Sequence, residues 1–173
     1  MRSALALLLA GVCGVNGYCQ ADMSRIESDA AAYARGRQPL GHCYNKVADY
    51  IDQSGYGGIP KGGFEKQIPS AYWAEAHDFA DYLNKDGNAA RLSLQNLGLD
   101  NPYKAPEGSI IVVRAGTPGT HNPTAGDIVV KGPGDDFYND GMMGYGGSGV
   151  SQHRPHMAEA EGCVWVCRQL SCG

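Results

Sequence analysis

Apolar positions along this chain change their period once. From Asp22 to Leu97 they recur at helical spacing; from Pro106 onward they run in short extended blocks separated by glycine and proline. Asp22 to Arg35 predicts a helix, with Asp22 or Ser24 as its cap, an alanine-rich middle and Gly36 as its stop. Pro39 cannot continue that helix and separates it from the next. After Gly41, the residues Cys43, Val47, Tyr50 and Ile51 return at helical spacing and predict a second helix ending near Ser54 and Gly55. Residues 56–63 read as a glycine-rich loop. A third helix is expected from a Ser70 cap, with Trp73, Ala76, Ala80 and Leu83 on its apolar face, and a short fourth over Ala89 to Leu97.

The extended half begins at the turn Pro106-Glu107-Gly108. Ser109 to Val113 reads as a buried strand of β-branched residues, and Asp127 to Val130 as a second. Gly132 to Asp135 is a hairpin-like turn into Phe137-Tyr138-Asn139, and the apolar run Gly162 to Leu170 is expected to close the sheet. Helices first and an antiparallel sheet second predict an α+β fold with the helices on one face.

A length of 173 residues with 43% hydrophobic content suits one domain with a real core. A net charge of -4 argues against nucleic acid as a partner, because phosphate binding needs a basic field. Arg2, the apolar run Ala4 to Val12 and the small residues Gly14 and Gly17 read as an export signal over residues 1–17, too short to span a bilayer. Residues 18–173 then form a single secreted domain with a cysteine-rich tail. Val12 stands where a bacterial lipobox wants a small residue before Cys13, so a soluble product is expected, with no stable membrane association and as a monomer.

Removing the signal leaves Cys19, Cys43, Cys163, Cys167 and Cys172, an odd number. In an oxidising compartment the simplest division pairs the terminal four and leaves Cys43 free. Cleavage after Ala21 would remove Cys19 as well and make the count even, with Cys43 still in place.

Cys43 is the pivot of the chemistry. At the first turn of a helix, unpaired amides and the helix dipole stabilise a thiolate and make a nucleophile of the sulfur. The competing reading is a buried, inert thiol. A cysteine at a helix start followed by a histidine near a later strand is the arrangement of a thiol hydrolase. His121, in the loop before the second strand, is the candidate base, and Asp127 or Asn139 the group that orients its ring. His42 is expected at the cleft edge or in solvent, His77 as a partly buried helix residue. Tyr138, Tyr145 and Trp165 are core or groove residues. Pro155 keeps His153 and His156 off a regular helix, so no metal set is expected. Residues 141–149 lack the context of a phosphate loop, and no cofactor is expected.

Three segments together, Gly41-His42-Cys43 opening a helix, Pro106 to Val113, and Gly126-Asp127-Ile128-Val129-Val130 through Phe137-Tyr138-Asn139-Asp140, resemble the CHAP amidohydrolases/peptidases. The likeness covers about residues 38–147. It implies a papain-like fold and a cysteine hydrolase that cuts amide bonds in the peptide part of bacterial peptidoglycan. Carried over by position, Cys43 is the nucleophile and Asn139 a member of the site. Where that family places its histidine, at the start of a core strand, this chain has Asp127, with His121 six positions earlier. Two other expectations stand beside this one: a toxin-like glutamine deamidase using the same thiol chemistry, and a non-catalytic, disulfide-stapled binding protein.

Overall fold

The computed structural model describes residues 20–56, 59–72, 75–85, 87–99, 101–115 and 124–142, together with the backbone of 164–167. The segment expected to be an export signal, His121, Tyr145, His153, His156 and the side chains of the terminal cysteines and of Trp165 lie outside the described residues.

The described residues form four α-helices and five strands: α1 (Gln20–Ala34), α2 (Cys43–Ser54), α3 (Ala76–Leu83), α4 (Asn88–Arg91), β1 (Leu94–Asn96), β2 (Ile110–Val113), β3 (Asp127–Lys131), β4 (Phe137–Tyr138) and β5 (Val164–Cys167). The strands form one sheet in the order β1-β5-β2-β3-β4, and each pairing is antiparallel. The α+β reading therefore holds. No described helix is long and apolar enough to cross a membrane.

Three elements differ from what the local pattern predicts. The helix expected from Ser70 begins only at Ala76; Ser70–Tyr72 is a separate 3-10 turn, and Glu75 is extended. The helix expected over Ala89 to Leu97 stops at Arg91, and Leu94–Asn96 becomes strand because it pairs with β5. Pairing partners some seventy residues away override a local helical preference. Finally, β5 does not close the sheet at its edge but inserts between β1 and β2.

Strand alternation builds two cores. Ile110, Val112, Ile128, Val130 and Tyr138 face the main core, where Met23, Ile26, Ala30 and Ala34 of α1 and Val47, Ala48 and Ile51 of α2 pack. Ile111, Val113, Val129 and Phe137 point the other way, onto Ala105 and the partly buried Leu97, Leu99 and Tyr103. Both faces of β2 and β3 are covered, which is why their sequences are continuous apolar runs rather than alternating ones.

Aromatic rings brace α2 from behind. Phe79 of α3 meets Tyr44 edge-on at 5.7 Å between centroids and Phe64 at 6.0 Å, and Phe64 in turn meets Tyr56 at 5.9 Å. Gly55 closes α2 in the left-handed conformation, at φ +64°. The first turn of α2 is thus packed on α3 through Tyr44.

Candidate active site

Cys43 is the first residue of α2, half-buried, and the one free cysteine among the described residues. It opens on a cleft of about 160 Å³ lined by His42, Cys43, Glu75, Asp127, Asn139 and Asp140 among others. Four separate parts of the chain converge there: the approach to α2, the start of α3, the start of β3, and the turn after β4.

Hydrogen bonds from distant residues fix that convergence. Asp140 Oδ2 accepts the backbone amides of Leu40 and His42, each at 2.8 Å. This carboxylate aims the chain into α2 and does the work of a helix cap, since His42 itself makes no side-chain cap. From α2, the Tyr50 hydroxyl donates to the Asn139 carbonyl at 2.8 Å. The turn closes on itself where the Gly141 amide donates to Asn139 Oδ1 at 3.0 Å. Gly141 has no room for a side chain, because a Cβ there would run into the backbone of Gln38 and Pro39.

Within this frame, Asp127 is the partner of the cysteine. Its carboxyl lines the same cleft as Cys43 and accepts from Asn139 Nδ2 at 3.1 Å and from the Ile128 amide at 2.8 Å. Cys43, Asp127 and Asn139 therefore line one cleft. The two residues expected to orient an imidazole, Asp127 and Asn139, both lie here, and Asp127 is near enough to Cys43 for its charge to act on the thiol.

The electrostatics overturn the expectation of a thiolate. Burial pushes the Cys43 thiol up to about 12, and the neighbouring Asp127 charge adds to that shift. The Ile128 and Tyr44 amides pull the other way and are outweighed. The helix start does act in the direction expected of it; what wins is desolvation beside a second anion. Burial likewise raises Asp127 to about 6, opposed by its bonds from Cys43, Ile128 and Asn139 and assisted by Asp140. At neutral pH the carboxyl is mostly ionised and accepts only, while the sulfur keeps its proton.

His42 is exposed on the cleft edge. His77 stands beside the opposite wall: its amide and its Nδ1 both lie against the Ala125 carbonyl, at 3.1 and 3.2 Å. Glu75, His77 and Asp78 bring one potential ligand atom each to within 4.8 Å, a grouping the sequence reading did not single out. Both ring nitrogens are already engaged, Nδ1 by Ala125 and Glu75 and Nε2 by Asp78 at 3.4 Å. Asp140 was also missed as a site residue, and its only sequence signal is its place directly after Asn139.

Comparison with protein families, with curated proteins and with solved structures finds no match for this chain.

Proposed function

We propose that the chain is a secreted, papain-like cysteine hydrolase that cleaves amide bonds in the peptide part of bacterial peptidoglycan. The observation that carries this reading is the placement of Cys43: first residue of a helix, facing a cleft that it shares with a buried acid, Asp127, itself held by Asn139. An isolated structural thiol needs no such partners. Cys43 attacks the carbonyl carbon, and backbone amides at the start of α2 stabilise the oxyanion that forms. The likeness to CHAP enzymes supports the substrate class, and the export signal fits a substrate outside the cytoplasm.

A second reading, a non-catalytic binding protein, is favoured by the raised Cys43 thiol. One experiment separates the two. Purified protein is incubated with isolated peptidoglycan, and newly freed amino groups and stem peptides are followed by mass spectrometry, with Cys43→Ala as the control. Release that depends on Cys43 supports the hydrolase. Absence of release, with peptidoglycan still pulled down by both forms, supports the binder. Ammonium release from a glutamine-containing protein without peptidoglycan cleavage would instead point to a deamidase.

A further inference from the structure

We infer that the cleft takes a positively charged stretch of its substrate, a free amino group close to the amide that is cut, and that Glu75 and Asp140 select it. The inference rests on the hydrolase reading above and names the charge its substrate must carry.

The cleft carries one sign of charge. Glu75, Asp127 and Asp140 line it together with His42, and no lysine or arginine is among its described lining residues. The three acids come from separate segments, so their gathering at one place is a product of the fold: Glu75 is the extended residue ahead of α3, Asp127 opens β3, and Asp140 follows β4. Asp127 and Asp140 are 3% and 4% exposed, and neither forms an ion pair among the described residues.

Asp140 is the telling group. Its Oδ2 accepts the Leu40 and His42 amides, whereas Oδ1 is buried with no hydrogen-bond partner among the described residues. Holding the approach to α2 thus uses one oxygen and leaves the charge of the other unanswered, a costly arrangement inside a fold. Where little water enters, two such buried anions set a negative potential over the cleft, which draws in a cation and repels an anion. Glu75 differs from them in being reachable: its side chain is 43% exposed and stands 3.4 Å from His77 Nδ1. It meets an incoming ammonium at the rim, and the buried pair favours the charge further in. A single metal ion suits the three acids less well, because the group of ligand atoms that comes within 4.8 Å among the described residues is Glu75, His77 and Asp78 instead.

The probes are a synthetic stem peptide with its amino groups free and the same peptide with them acetylated, which removes the charge and keeps the amide that is cut. Hydrolysis is measured as kcat/KM for wild type, Glu75→Gln and Asp140→Asn, and binding is measured by calorimetry on Cys43→Ala, which turns over neither peptide. Wild type should favour the free-amine peptide by about 10- to 100-fold at low salt. That ratio should shrink at about 0.5 M salt, where exposed charges are screened. Glu75→Gln should lower the ratio chiefly through KM, the mark of a contact already made in the bound ground state. Asp140→Asn, which keeps an oxygen for the two amides, should lower it as well. Cys43-dependent hydrolysis of both peptides at equal rates overturns the inference and leaves the hydrolase reading standing, and a preference that neither variant moves overturns the assignment to these two residues. If wild type hydrolyses neither peptide but Cys43→Ala binds the free-amine form about tenfold more tightly, the charge selection stands and the hydrolase reading falls. If Cys43→Ala binds both forms equally, or neither, the inference falls.

Discussion

The amide of His42 donates to Asp140 Oδ2 at 2.8 Å, joining residues 98 positions apart. With the Leu40 amide on the same oxygen, this contact ties the approach to α2, and so Cys43, to the turn after β4. A helix start usually takes its cap from the adjoining residues; here the cap comes from across the sheet.

Asp140→Ala should therefore cost about 2 to 4 kcal/mol, the range for leaving two partly buried amides without a charged acceptor. Urea denaturation measures the loss, and hydrogen exchange should show faster exchange at Leu40 and His42 in particular. Asp140→Asn keeps an acceptor and should lose less. Unchanged exchange at both amides would rule out the capping role.

Asp127 should make stability depend on pH in a defined window. Its folded value, about 6, lies above its ordinary one, so between about pH 4 and pH 6 the folded chain binds a proton that the unfolded chain has released. Stability from this group is fully present below that window and is lost as pH rises through it, leaving a deficit of about 3 kcal/mol above. Asp127→Asn removes the deficit. The variant should be more stable than wild type at pH 8 and gain nothing at pH 4, read from urea midpoints at the two values. An equal effect at both would show that the buried charge is not the cause.

The Cys43 thiol, held near 12, should react slowly with iodoacetamide at pH 7 in the wild type. Its rate should keep climbing to pH 10 without a plateau. A plateau between pH 6 and 8 would reveal a preformed thiolate and contradict the electrostatics described.

Phe79→Ala should destabilise by about 3 to 5 kcal/mol, since the ring is fully buried between Tyr44 and Phe64. Because Tyr44 follows Cys43 directly, the loss should also loosen the first turn of α2, visible as faster exchange at its amides. A loss confined to α3 would show that the aromatic brace does not reach the cysteine.

Much of the scaffold is legible in the chain because it follows from local rules. Cys43 opens α2 where Gly41 and the apolar spacing place it, and β2 and β3 occupy the β-branched runs within a residue or two of their expected bounds. Three of the site's side chains, Cys43, Asp127 and Asn139, were identifiable by their positions at the ends of those elements. Leu94–Asn96 was not, since nothing within that segment signals that β5 will pair with it.

What the sequence determined by itself is the order of elements and the location of a cysteine at a helix start, both consequences of residue spacing along one stretch of chain. What the tertiary structure decided is the state of that cysteine. Whether a sulfur is charged depends on how much water reaches it and which groups surround it, and here Asp127, Ile128, Asn139 and Asp140 arrive from more than eighty residues away. The same helix start that would favour a thiolate in the open instead holds a protonated thiol beside a buried carboxylate, because desolvation and a neighbouring negative charge exceed the pull of a few amides.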